Sequence, residues 1–412
     1  MSPRLLERSA DLRSMFLRPP ARRLPQGSVI EPASRRSQRS GSGTRYADLQ
    51  NAVAVLVFAA VVGGTVAVAG AGFSRPDREQ SGDLLYVCVQ DDAKIAVVDM
   101  ATKAILRMID LTTLGFPATA KPHYVVVEPD GSHWYVSLIG ANRVVKFDRQ
   151  GMVAGQFEME TPGMLAFGDE ERLVVTRSMS AVNPPKRIAV LRRTTMQGDE
   201  LDVLFPRPHP VAAANGYAYT GSLGVNQIAS IQLAEDKVDV MPIAGPPHSL
   251  VQFTISPDRK TLVGSTDVSG QLLVFSLAQP AKPALVKSID VGKMAFDPVY
   301  TPDGKFVWVP VKSSNEVVVI DAGSWKEVAR ITGEPFKQPH QVVFSADGAT
   351  AFVTNNNKMD HMADPAHAGH ADPASGEGTA SLVVIDVRTR RIEKAIPLGK
   401  NLTGMGTRAR EN

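Results

Sequence analysis

The chain has 412 residues, a formal net charge of +3 and one cysteine. That length would suit two or three ordinary domains, although all-β repeat folds exceed it as one unit. The first 50 residues carry ten Arg and no Lys against four acids, so the remainder is slightly acidic and offers no basic face for nucleic acid. A lone cysteine excludes an internal disulfide and any multi-cysteine metal cluster.

Residues 1–51 read as a basic, disordered segment. Ala52 to Phe73 follows, 22 residues without a charge, long enough to cross a bilayer. Arginine-rich flanks stay on the cytoplasmic side, which places the rest of the chain outside. A cleaved signal peptide is the competing reading, because Val66-Ala67-Val68-Ala69 and Ala69-Gly70-Ala71 offer small-x-small cleavage sites. A mitochondrial presequence is a third. Either of the first two puts the body in an extracytoplasmic compartment, periplasmic or cell-surface, tethered or secreted, after a linker at 74–81.

From residue 82 the chain repeats a phrase: an apolar run, a Pro-Asp-Gly turn, then a strand ending near Tyr-Val. The turn stands at Pro129-Asp130-Gly131, Pro257-Asp258-Arg259, Pro302-Asp303-Gly304 and Ala346-Asp347-Gly348, with a degenerate Ala214-Asn215-Gly216. Gly131 to Gly216 is 85 residues, two periods, and the later steps are 43, 45 and 44. Four short strands per unit at this period predict a β-propeller. Thus Tyr124-Val125-Val126-Val127, Trp134-Tyr135-Val136-Ser137, Arg143 to Asp148 and Met152 to Phe157 make one blade. Cys88, inside Leu85 to Val89, reads as a buried, inert thiol. The first unit lacks its leading strand, and the tail Gly399 to Gly406 is placed to supply it. The predicted fold is all-β: a seven-bladed propeller of four-stranded antiparallel blades over 82–408, closed by its C-terminal strand.

The second strands resemble the surface-layer-type propeller repeat named for the tetrapeptide Y-V-T-N. Phe352-Val353-Thr354-Asn355 is nearest, and Tyr135-Val136-Ser137 and Tyr86-Val87-Cys88 are looser. The upstream P-H-x-V-x-x-x-x-D-G phrase matches too, at Pro122-His123 and Pro339-His340. The resemblance implies the fold and is nearly silent on function, for similar repeats occur in the d-type haem domain of dissimilatory nitrite reductases, in related haem-biogenesis proteins and in lactonase-like propellers. The reductase domains have eight blades, one more than this chain offers.

Aligning the units places one residue per blade at the rim of the axial channel: His123, Met164, His209, His248, Phe296, His340 and, from the tail, Met405. His248 is about three residues out of register and Phe296 breaks the set. Imidazole with thioether suits copper, and histidine also serves as an axial haem ligand, so His123, His209, His248 and His340 are the candidate cofactor-binding residues. The bland alternative is that each imidazole bonds a neighbouring blade. A second candidate is an insertion in the last blade, 356–378. Met359, Met362, His361, His367 and His370 there form a candidate transition-metal tract, set against a plain solvated loop. Lactonase chemistry would need groups converging on the channel, from such residues as Glu128, Arg177, Arg187 and Asp297. The leading expectation is a non-enzymatic, monomeric extracytoplasmic binding module for a transition metal or metal cofactor. A lactonase-like or haem-dependent enzyme and an envelope-protein scaffold are the alternatives.

Overall fold

The computed structural model describes residues 83–179, 186–357 and 378–408. Its strands form seven four-stranded sheets, each antiparallel and ordered from the axis outward. The inner strands are Leu402–Gly406 in blade 1, Pro122–Val127, Pro162–Phe167, Pro208–Ala214, Leu250–Ile255, Val299–Tyr300 and Pro339–Phe344 in blade 7. Each touches the next around the ring, except that blade 6 reaches blade 7 through its second strand, Phe306–Val311, and through the bridge of Asp297 to Gln341. Blade 1 is completed by the other end of the chain, as expected: Tyr86 pairs with Gly406 and Val89 with Leu402.

The repeated turns form for local reasons. Gly131, Gly304 and Gly348 all have φ near +70°, a conformation without steric cost only for glycine. Asp258, Asp303 and Asp347 each accept from the backbone N–H two residues on and from a preceding Ser or Thr hydroxyl. Successive blades bury their faces against each other. Between blades 1 and 2, Trp134 stacks on Tyr86 at 4.8 Å and on Phe147 at 4.2 Å. Cys88 lies in that same layer, and burial pushes its thiol pKa up, as an inert cysteine requires.

One device recurs in the inner strands and positions the channel. In blades 2, 3, 4, 5 and 7 the pairing of first and second strands slips after the first residue, so two inner residues face one. Such a bulge re-aims side chains and leaves a backbone N–H without its ladder partner. Hydroxyls on the second strand supply that partner: Ser137 Oγ accepts from Tyr124 N, Ser265 Oγ from Gln252 N and Thr354 Oγ1 from Gln341 N, at 3.2–3.3 Å. Blade 6 departs from this. Pro298 follows Asp297, Pro310 stands where the hydroxyl should be, and the inner strand shrinks to Val299–Tyr300.

Among the described residues no helix is long and apolar enough to cross a membrane. The apolar run 52–73 and the tract 358–377 lie outside them.

Candidate functional site

The bulges stack axial residues in layers, and the register corrects two sequence assignments. The upper layer holds His123, Gly163, His209, Val251, Phe296, His340 and Thr403. Met164 therefore sits one residue past the rim position, which belongs to Gly163. A Cβ at Gly163 would lie 2.5 Å from the Arg177 carbonyl, so only glycine fits. Met405 falls two residues past it and packs in the core between blades 7 and 1. His248 lies apart: its Nε2–H donates to Ala244 O at 3.1 Å and its Nδ1 meets Ser269 Oγ at 3.0 Å, so both nitrogens are engaged. It lines a separate cavity of about 280 Å³ between blades 4 and 5, with Arg207 and Asp267.

His123, His209 and His340 do converge. The rings of His123 and His340 are 6.0 Å apart, edge to face, and Phe296 lies 5.1 Å from His340. The bland alternative is half realised. His209 Nδ1–H donates to the Arg177 carbonyl of blade 3 at 2.8 Å, and His123 Nδ1 meets Gln90 Oε1 of blade 1 at 2.9 Å. Each is a latch between blades, and each leaves Nε2 with its lone pair. His340 Nδ1 is buried without a partner. Burial lowers all three pKa values, His123 to about 3 and His209 to about 4, with neighbouring positive charge adding to the shift. All are therefore neutral at pH 7. Lys312, just beyond the second strand of blade 6, places Nζ 3.5 Å over the Phe296 ring, and its charge reaches His123, His340 and Asp297.

Below the imidazoles lies a polar belt: Tyr124, Met164, Pro210, Gln252, Asp297, Gln341 and Gly404. Its hydrogen bonds fix their own directions. Gln252 Oε1 accepts from Val211 N and Phe253 N, and Gln341 Oε1 accepts from Met405 N. Both amides must then donate through Nε2, and both donate to Tyr124 Oη at 3.1 Å. The phenol of blade 2 thus crosses the channel to a point between blades 5 and 7. That point faces blade 6, where Asp297 occupies the same belt position and bridges to Gln341 through the backbone. Asp297 is 2% exposed, and neither carboxyl oxygen has a hydrogen-bond partner. Burial raises its pKa to about 8, against a smaller opposing pull from Lys312. Burial, and after it the nearby Asp297, raise the Tyr124 pKa.

Two residues past the belt on five of the inner strands, Val126, Ala166, Thr254, Val299 and Val343 are half-buried. The rings of His123, His340 and Phe296 thus crowd one side of the upper layer, and the belt beneath is polar.

Of the other acid–base candidates, only Asp297 reaches the axis. Arg177 is fully buried in an ion pair with Glu200 at 2.5 Å, within blade 3. Glu128, at the far end of its strand, pairs with Arg193 at 3.0 Å. Arg187 is exposed on the third strand of blade 3. Tyr124, Gln252 and Gln341 were not anticipated, although each directly follows the rim position. Nothing in the sequence marked Lys312. Among the described residues no three His, Cys, Asp or Glu side chains are grouped to hold a metal ion. The ring contacts also leave no flat slot for a haem between the imidazoles. The candidate metal ligands His361, His367, His370, Met359 and Met362 lie outside the described residues.

No family model matches the chain, and no curated protein matches it in sequence. Solved structures do match in fold. The periplasmic gluconolactonase of Pseudomonas aeruginosa superposes with TM-score 0.60 at 18% identity, over 80% of this chain and 99% of its own. The dihydro-haem d1 dehydrogenase NirN gives TM-score 0.51 at 16% identity, over 78% and 74%. The virginiamycin B lyase of Staphylococcus aureus gives 0.53 at 13%, over 68% and 85%. At these identities the likeness shows the fold, and the seven-bladed propeller stands among lactonase, haem d1 and streptogramin lyase propellers.

Proposed function

We propose that this chain is an extracytoplasmic binding module whose small-molecule ligand lies in the axial channel, against the belt of Tyr124, Gln252, Asp297 and Gln341. The observation that carries the reading is Asp297. Its two buried, unpartnered carboxyl oxygens cost about 1–3 kcal/mol of stability, a cost that recurs at sites kept for binding rather than for folding. The fold neighbours named as a gluconolactonase and a dihydro-haem d1 dehydrogenase support a small-molecule ligand by analogy only.

The test is Asp297→Leu, of similar volume and without the polar atoms. It should raise the unfolding free energy by about 1–3 kcal/mol. A loss of that size instead would show that the carboxyl serves the fold, and the reading would fall. The location rests on the arginine-rich flank before Ala52. An alkaline phosphatase fused after Asn412 should be active, and an inactive fusion would place the propeller on the other side.

A second reading, transition-metal capture at the upper end, is favoured by one specific feature. The insertion leaves the propeller after Asn357 and returns at Gly378, at the imidazole end of the channel. Asn356 Nδ2 there donates to the Leu402 carbonyl, at the start of an inner strand, at 2.8 Å. The charge of Lys312 opposes a cation among the imidazoles themselves. Any copper should therefore bind through the tract, and deleting 359–372 should abolish it in calorimetry. Retained stoichiometric binding would assign the ion to the channel.

A further inference from the structure

The cavity beside His248 stands apart from the axial belt, and none of Tyr124, Gln252, Asp297 or Gln341 lines it. At about 280 Å³ it falls just under the usual range for small-molecule sites, about 300–1,000 Å³. Its mouth is open, since Val225 and Val268 at the rim are 39% and 52% exposed. Its floor is closed by His248 and Leu223, which are 1% and 7% exposed. The walls are held by bonds that need no ligand. Asn226 Oδ1 accepts from His248 N at 2.9 Å, and Asn226 Nδ2 donates to the Pro246 carbonyl at 2.7 Å. Across from them Asp267 N and Val268 N donate to the Ser249 and His248 carbonyls. A site fixed in this way loses little freedom when something binds.

Two opposite charges face this space from two blades. Arg207 stands immediately before the inner strand of blade 4, and Asp267 immediately after the second strand of blade 5. Both are half-buried, yet among the described residues no ion pair joins them or takes either elsewhere. Arg207 Nη2 donates to the Met179 carbonyl at 3.0 Å, which anchors the guanidinium and leaves Nε and Nη1 for a ligand. Burial raises the Asp267 pKa against a smaller opposing pull from Lys312, so its carboxylate is short of positive charge. A carboxylate ligand would answer Arg207 and leave Asp267 as it is, and an ammonium ligand would do the reverse. A zwitterion answers both and brings no net charge into the cleft. The remaining walls, Leu223, Val225 and Val268, are aliphatic. We propose that this cavity is a second binding site, for a free aliphatic α-amino acid. Its carboxylate meets Arg207, its ammonium meets Asp267, and its side chain lies against Leu223 and the two valines.

The test is calorimetry of the full chain with L-leucine, 4-methylpentanoate and isopentylamine, which keep both charges, only the carboxylate and only the ammonium. Leucine should bind at least about ten-fold more tightly than either, the margin of one hydrogen bond to a charged group. Arg207→Gln should abolish the preference for leucine over isopentylamine. Asp267→Asn should abolish the preference for leucine over 4-methylpentanoate. Leucine that does not bind, or binds no more tightly than either analogue, overturns the proposal. So does a folded Arg207→Gln or Asp267→Asn protein that keeps the wild-type preference. If Arg207→Gln, which gives up the bond to the Met179 carbonyl, does not fold, the analogues and Asp267→Asn decide alone. Asp297→Leu lies outside this cavity and should bind leucine as the wild type does, so the amino-acid site and the axial reading stand or fall separately.

Discussion

Blades 6 and 7 lie side by side and treat the same two axial positions in opposite ways. Blade 7 places His340 and Gln341 on a bulge whose N–H bonds Thr354 Oγ1. Gln341 ties the belt to the closing strand through Met405 N, and Thr354 Oγ1 donates onward to Thr403 O at 2.7 Å. Blade 6 places Phe296 and Asp297 there, flanks them with Pro298 and Pro310, and leaves the carboxyl without a partner. One blade spends its axial residues on holding the ring. The other gives up strand length and hydrogen bonds at the same height. Repeats reveal function where a unit departs from the rule that its neighbours obey, because the neighbours show what folding alone requires.

The largest effect should come from removing what blade 7 grips. Deleting residues 400–412 strips blade 1 of its inner strand and exposes a pairing edge, so the product should aggregate instead of unfolding cooperatively. Gly404→Val is the single-residue version. A Cβ there would lie 2.3 Å from the His123 carbonyl oxygen and 2.7 Å from Tyr124 Cα, distances that demand backbone movement. A monodisperse Gly404→Val protein with wild-type melting would show that the closing strand does not run as described.

A smaller loss should follow Gln341→Leu. It leaves Met405 N buried without an acceptor and takes one donor from Tyr124, at a cost of about 2–4 kcal/mol for the two bonds. The comparison predicts opposite signs in adjacent blades: Gln341→Leu destabilises where Asp297→Leu stabilises. Chemical denaturation of the two variants reads both signs, and a shared sign would dissolve the contrast.

The ring was legible in the sequence because turn chemistry is local: an Asp side chain and a residue with positive φ, glycine in most units and Arg259 in one, recur with that turn. Closure was legible from what the first unit lacked. The axial layers were less so. A bulge shifts register by one residue without altering the apolar pattern, which is why Met164 and Met405 looked like rim residues and Gly163 and Thr403 did not. Phe296 looked like a gap in a histidine set, when the informative residue was its neighbour Asp297. The Tyr124 contacts with Gln252 and Gln341 join residues 128 and 217 positions apart, and no periodicity carries a bond across the axis. His248 shared the Pro-His spelling of the others but sits three residues before its blade's upper position, where Gly245 and Ala244 take up its ring.

The smallest and most specific effect is on pH dependence, where the two layers pull in opposite directions. In the upper layer, His123 and His209 titrate near 3 and 4 when folded against an ordinary 6.5, with His340 shifted the same way. Below pH 6.5 the unfolded chain takes up protons that the folded one refuses, so acid removes stability. In the belt, Asp297 keeps its proton up to about pH 8, whereas its ordinary value is 3.8. Between those values the folded chain holds a proton that the unfolded chain has released, so raising the pH removes stability. A single such group gives a slope of at most about 1.4 kcal/mol per pH unit. Between about pH 4 and 6.5 the imidazoles outnumber the carboxyl and stability should rise with pH. At pH 6.5 the three half-protonated imidazoles of the unfolded chain still outweigh one carboxyl, so the balance turns just below about pH 7, and from there to about pH 8 stability should fall. Asp297→Asn keeps the shape and deletes the titration, so it should flatten the descending limb and leave the acid limb unchanged. Urea unfolding at half-unit steps from pH 5 to 8.5 makes the comparison. A descending limb that survives in Asp297→Asn would mean that Asp297 is ionised in the folded channel, and that its carboxylate has found a partner after all.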